Sequence, residues 1–107
     1  MAWLYLLLAG LLEIVWAVSM KQSEVFSRLV PSIITIVGMI LSFWLLSLAM
    51  KSLPLGTAYT IWTGIGAVGA FVLGIVFFGE QLSVIRVLAA GLIVSGLLLM
   101  KMASPSV

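Results

Sequence analysis

Cysteine and histidine are absent from the 107-residue chain, and only three residues are acidic and five basic. Without them the chain has no disulfide, no thiolate and no common zinc ligand set, so proton exchange by side chains must use Glu13, Glu24 or Glu80. No nucleophile stands with a base, so we predict no enzymatic activity, cofactor or metal. The basic residues are scattered singly, which argues against binding to nucleic acid.

The amino-acid composition is dominated by apolar residues. Hydrophobic residues make up 64% of the chain and charged residues 7%, and the mean hydropathy is +1.40. A membrane-spanning helix needs about 20 mostly apolar residues, and charged or proline-containing breaks divide the sequence into four such spans. We therefore predict an all-α integral membrane protein with spans at about 3–20, 30–50, 56–78 and 84–100.

The connections between the spans are short, so we expect consecutive helices to be antiparallel neighbours in a single transmembrane domain over residues 1–107. The first span differs from a signal peptide because it lacks a basic leading region and contains a carboxylate. We interpret it as a permanent helix.

Glu13 stands near the middle of the first span. A charge at that depth costs at least a few kcal/mol and usually marks a functional site, and no Lys or Arg lies at comparable depth in the sequence. At 100° per residue, Gly10, Glu13, Trp16 and Ala17 fall within an arc of about 120°. Glu13 is therefore predicted to face the helix bundle, whereas Glu24 lies in a loop and Glu80 at a helix end, and both are expected to be solvated.

The second and third spans offer polar partners for this carboxylate. Ser42 is the most central hydroxyl of the second span, and Tyr59 and Trp62 share a narrow arc of the third span; all three can donate hydrogen bonds. Trp44 points away from Ser42, toward lipid or a neighbouring helix. The third span also has a cluster of glycines that permits either a kink or close helix packing: Gly64, Gly66 and Gly69.

The fourth span, "LAAGLIVSGLLLMK", lacks a polar residue suited to solute contact. Its small residues recur at spacings typical of helix association in membranes, and we predict that they pack a dimer: Ala89, Gly91, Ser95 and Gly96.

Orientation in the membrane is almost balanced. Lys51 and Lys101 fall on one side, and Lys21, Arg28 and Arg86 on the other, so the positive-inside bias is weak. Four helices are too few to enclose a solute pathway, which many transporters build from two inverted repeats. Two copies inserted in opposite senses, an antiparallel homodimer, would supply the second repeat. A fixed topology with a balanced count is the alternative.

These motifs together resemble the small multidrug resistance family of proton-coupled exporters. The resemblance covers nearly the whole chain and is carried by "AGLLEIVWA", "LPLGTAYTIWTGIGAVGA" and the glycine-bearing last helix. "WTGIG", Lys51 before "SLP", and the spacing of Gly10, Glu13 and Trp16 look most like the guanidinium-exporting branch, whereas "SFWLL" resembles the drug-exporting branch.

The resemblance implies a dual-topology homodimer in the bacterial inner membrane that exchanges protons for guanidinium-type cations. It implies that Glu13 binds both proton and substrate, and that five residues line or support the site: Gly10, Trp16, Ser42, Tyr59 and Trp62. Small quaternary ammonium ions are possible secondary substrates. The alternatives are a broad multidrug exporter, a cation channel, and a membrane subunit without transport activity.

Overall fold

The computed structural model describes residues 1–103, which form four α-helices: α1 (Ala2–Gln22), α2 (Leu29–Ala49), α3 (Leu55–Phe78) and α4 (Val84–Ala103). Each helix is long and apolar enough to cross a membrane. The predicted all-helical fold with four membrane-spanning helices is confirmed, and the helix ends differ from the predicted span ends by a few residues only.

The helix ends follow from local sequence chemistry. Pro54 precedes α3 as its N-terminal flanking residue in an extended conformation, and Pro31 stands in the first turn of α2, where a missing N–H costs nothing. Gly79 ends α3 with φ +65°, a left-handed conformation that glycine adopts without a Cβ penalty. Between α1 and α2, the Ser23 hydroxyl donates to the Met20 carbonyl at 2.6 Å and accepts from the Phe26 N–H at 3.0 Å, which closes a tight turn.

The helices form a flat layer in the order α2, α1, α3, α4. Helix α1 packs between α2 and α3, α4 packs mainly against α3, and the consecutive helices α2 and α3 touch little. The Cα atoms extend over 42 × 34 × 16 Å, and a helix with its side chains is about 10–12 Å across. Consecutive helices are therefore neighbours as expected, but the contact between α2 and α3 is limited, because both helices pack mainly against α1.

Glycines set the spacing between the helices. A Cβ at Gly10 would lie 2.6 Å from Cγ2 of Ile65, and one at Gly38 would lie 3.1 Å from Cβ of Trp16. Since these are closer than ordinary van der Waals contacts, α1 approaches α3 and α2 more closely than larger residues would allow. The core formed there is small and includes Leu6 and Trp62.

Candidate functional site

Glu13 lies in the middle of α1, one of the two inner helices of the layer, and its side chain is directed at α3. The carboxyl group packs directly on Gly66, where a Cβ would meet Oε1 and Cδ of Glu13 and would lie 2.8 Å from its Cγ. Only a residue without a side chain leaves room for the carboxylate at this point. Gly66 therefore provides the space that the Glu13 carboxyl group occupies, a role that the glycine pattern alone did not reveal.

Two polar atoms of α1 are buried without a hydrogen-bond partner within residues 1–103: Oε1 of Glu13 and Nε1 of Trp16. Residues three apart on a helix lie on the same side; here the Glu13 carboxyl group packs on Gly66 of α3, and the Cβ atom of Trp16 packs on Gly38 of α2. The one ion pair in the described part of the chain joins Glu80 to Arg86 at 3.5 Å, which leaves Glu13 without a cationic side chain. A buried carboxylate oxygen of this kind can bind a proton or an organic cation.

Ser42 connects three helices through its hydroxyl group. The Trp62 indole N–H donates to Ser42 Oγ at 3.0 Å, and Ser42 Oγ donates to the backbone carbonyl of Ala9 at 2.7 Å. Ser42 is fully buried. Its single proton goes to α1 backbone, so the expectation that Ser42 and Trp62 donate directly to the Glu13 carboxylate is not met here. They hold α1, α2 and α3 together next to Glu13 instead.

Four aromatic rings form a row across the same three helices. Trp16 on α1 meets Phe43 on α2 edge-on at 6.3 Å between ring centroids, Phe43 meets Trp62 on α3 at 5.6 Å, and Trp62 meets Tyr59 at 5.5 Å. Such tilted and edge-to-face pairs are the favoured aromatic geometry. The row joins the predicted site residues Trp16, Trp62 and Tyr59 into one surface.

Phe43 is the member of this row that the sequence analysis missed. It follows Ser42 directly, and "SFWLL" drew attention to Trp44, which the structure leaves 59% exposed. Helix geometry could have identified Phe43, because successive residues of a helix are 100° apart and Phe43 is therefore close to the face on which Ser42 lies.

An open cleft of about 440 Å³ lies beside the row and is lined by Phe43, Tyr59 and Trp62, together with Ser47 and the apolar residues Leu46, Met50 and Leu55. Tyr59 is 53% exposed. Aromatic faces attract organic cations, so the cleft offers a cation an apolar, aromatic surface close to the helices that carry Ser42 and Glu13.

Gly64 and Gly69 of α3 lie at contacts with neighbouring helices. The Cβ position of Gly64 lies against Leu97 of α4, and that of Gly69 against Ile14 of α1. Helix α3 is continuous through them, and these contacts favour the close-packing alternative. The conformational kink at Gly64, Gly66 and Gly69 stays a prediction.

The predicted association helix α4 has no buried residue in its described length. Ala89, Gly91, Ser95 and Gly96 are all exposed, and a Cβ at Gly91 or Gly96 would meet nothing within 4 Å. This face is open in the single chain; its use in a dimer stays a prediction.

The other acidic residues lie apart from the site. Glu24 and Glu80 are exposed, and they follow the C-terminal ends of α1 and α3. Within residues 1–103 no three His, Cys, Asp or Glu side chains come together to hold a metal ion. Glu13 is thus the single carboxylate that the described fold holds deep within a membrane span.

Four apolar spans with one half-buried carboxylate beside a row of aromatic rings define a small multi-pass membrane protein with an acidic site. A family model described as Small Multidrug Resistance protein matches residues 1–93. The chain belongs to this family, as its motifs predicted.

Similar curated proteins agree with this membership. A "Guanidinium exporter" of Yersinia pseudotuberculosis is 59% identical over 104 residues, which cover 97% of this chain and 100% of that protein. Proteins of the same name from Salmonella typhimurium and Citrobacter freundii are 59% and 55% identical, each over 97% of this chain and 99% of their own length.

Proposed function

We propose that this protein exports guanidinium and small substituted guanidinium ions in exchange for protons. The observation that carries the proposal is the buried Glu13 carboxylate oxygen Oε1, which packs on Gly66 and has no hydrogen-bond partner within residues 1–103. The names of the similar exporters support the substrate class.

The chemistry of the site suits a guanidinium ion. The ion is planar, keeps its positive charge at physiological pH, and presents N–H donors around its edge, which match the oxygens of a carboxylate. Its faces can stack on aromatic rings, and the row from Trp16 to Tyr59 supplies them. A quaternary ammonium ion has no N–H donor and would bind through charge and apolar contact alone, as a secondary substrate.

Exchange follows if proton and cation share one group. Glu13 can hold a proton or, once it has released the proton, a cation, and the two therefore compete. If only the loaded carboxylate permits the change between inward-open and outward-open forms, an inward proton gradient drives cation export. This is coupling through shared occupancy.

The working unit we propose is an antiparallel, dual-topology homodimer in the bacterial inner membrane. One chain forms a layer only 16 Å deep between Cα atoms, with an open aromatic cleft and an α4 that buries no described residue. A second copy could close the cleft and bring a second Glu13 to the same cation. The nearly equal Lys and Arg counts on the two sides support insertion in both senses.

The test uses the purified protein in liposomes. Guanidinium added outside should release protons from wild-type protein, and an inward proton gradient should drive guanidinium against its own gradient. Glu13→Gln should abolish both, because the amide does not ionise. Glu24→Gln, at an exposed loop carboxylate, is the matched control and should exchange normally. Robust coupled exchange by the Glu13→Gln protein would contradict the proposal.

Broad multidrug export is the second candidate, favoured by the size and aromatic lining of the cleft beside Phe43. The same liposomes distinguish the two: exchange with bulky aromatic cations but not with guanidinium would support multidrug export. Cation flux without proton exchange would indicate a channel, and no flux at all would indicate a subunit without transport activity.

A further inference from the structure

A second cavity lies between α1, α3 and α4, at the end of the layer where α1 begins and α4 ends. It has a volume of about 400 Å³, which falls in the range of about 300–1,000 Å³ for small-molecule sites. Its lining consists of leucine and isoleucine side chains with Trp3, and Lys101 is the only charged residue that lines it.

The inner part of this cavity is closely packed and apolar. Leu6 is fully buried and Ile61 is 6% exposed, and both contribute to the wall. The Ile65 side chain packs on Gly10 of α1, and the Leu97 side chain packs on Gly64 of α3. A polar ligand would find no partner at this depth, whereas a hydrocarbon chain would fit.

The mouth of the cavity has the opposite character. Trp3 lies in the first turn of α1 and Lys101 in the last turn of α4, and the Lys101 Nζ atom is 4.8 Å from the centroid of the Trp3 ring. Tryptophan and lysine are the residues that occupy the membrane–water interface, with their apolar parts inward and their polar groups at headgroup level.

The charge on this side of the membrane is positive. Lys51 in the α2–α3 connection and Lys101 both lie here, whereas Glu24 and Glu80 follow the opposite ends of α1 and α3. Across residues 1–103 no acidic side chain therefore competes for Lys101 on its own side of the chain. A lysine in this setting attracts anionic lipid headgroups.

We propose that this cavity binds one anionic phospholipid, with an acyl chain between α1, α3 and α4 and the phosphate group at Lys101. The positive charge at the mouth repels the organic cations that Glu13 attracts, so the cavity is not a second entrance for them. The proposal does not depend on the transported substrate.

The experiment measures which lipids stay with the full-length protein. Wild-type protein would be reconstituted in vesicles of equal parts phosphatidylglycerol and phosphatidylcholine, extracted in mild detergent, and analysed by native mass spectrometry. We expect a bound phosphatidylglycerol to be retained preferentially. Lys101→Gln should reduce that preference by about fivefold, as expected for one lysine at an anionic membrane surface, and Lys101→Arg should keep it.

Two further variants separate the headgroup from the acyl chain. Lys51→Gln removes a lysine on the same membrane side that does not line the cavity, and it should leave the preference unchanged. Leu98→Trp should fill the cavity and reduce retention of both lipids. Equal loss with Lys51→Gln would mean diffuse surface attraction, and a wild-type protein that retains both lipids equally would mean that Lys101 selects no headgroup; either result overturns the proposal.

Discussion

Substitution of Gly66 by alanine tests the site through one methyl group. The added Cβ would overlap the Glu13 carboxyl group and lie 2.8 Å from its Cγ, whereas carbon atoms prefer about 3.5–4.0 Å. Glu13 must therefore retreat by about 1 Å. A displacement of about 1 Å at a reacting group can cost about 100-fold in rate, and we expect a loss of that order in coupled exchange.

The same substitution should change stability little. The overlap is with the end of a flexible side chain, which can rotate away at about 0.5–1.5 kcal/mol, and alanine is favoured over glycine in a helix by about 1 kcal/mol. Because the two effects nearly cancel, Gly66→Ala should unfold close to the wild-type temperature. The activity loss would then come from the position of Glu13 and not from misfolding.

Exchange rates in liposomes and thermal unfolding in detergent measure the two effects, and α3 provides matched controls. A Cβ at Gly56 meets nothing within 4 Å, and the three atoms nearest to one at Gly69 all belong to Ile14. Gly56→Ala should behave as wild type, and Gly69→Ala should lose about 1–3 kcal/mol of stability by overpacking but less activity than Gly66→Ala. Wild-type exchange by a folded Gly66→Ala protein would refute the argument.

Three further predictions concern the hydrogen bonds, the carboxylate and the topology. Ser42→Ala removes the acceptor of Trp62 and should cost about 0.6–1.7 kcal/mol in thermal unfolding, while weakening guanidinium binding more than that of a small quaternary ammonium ion. Ser32→Ala, which removes an α2 hydroxyl that bonds its own helix backbone outside the cleft, is the control. Glu13→Asp should retain part of the exchange with an altered pH profile, measured as proton release from liposomes at several pH values. A cysteine placed at Ser52 of this cysteine-free chain should be labelled from both sides of the membrane, and one-sided labelling with full activity would contradict the antiparallel dimer.

The spans could be predicted because charge and proline interrupt long apolar runs, but the order of the helices could not. A helix that is apolar on all faces gives no periodic signal for its neighbours, and close contacts such as Gly10 with Ile65 or Gly38 with Trp16 depend on three-dimensional fit. For this reason the position of α1 between α2 and α3 was found only in the structure.

The candidate site was likewise predictable only in part. Glu13 was identifiable because a carboxylate in a membrane span is costly, and the residue types of Ser42 and Trp62 marked them as potential donors. Their actual acceptors were not predictable, because the Ala9 carbonyl that takes the Ser42 proton is a backbone group without a sequence signature. Phe43 was not predicted, because a phenylalanine in an apolar helix carries no functional signal until its ring contacts with Trp16 and Trp62 are known.

The four tryptophans occupy four different surroundings, which makes the chain its own set of spectroscopic reporters. Trp3 stacks with Lys101, Trp16 has a buried N–H without a partner in residues 1–103, Trp44 is 59% exposed, and Trp62 donates to a buried hydroxyl. The indole ¹H–¹⁵N resonances of a uniformly labelled sample should therefore be dispersed. A cation at Glu13 would shift the Trp16 signal, a lipid at the second cavity would shift the Trp3 signal, and the two events could be followed separately in one spectrum without an attached label.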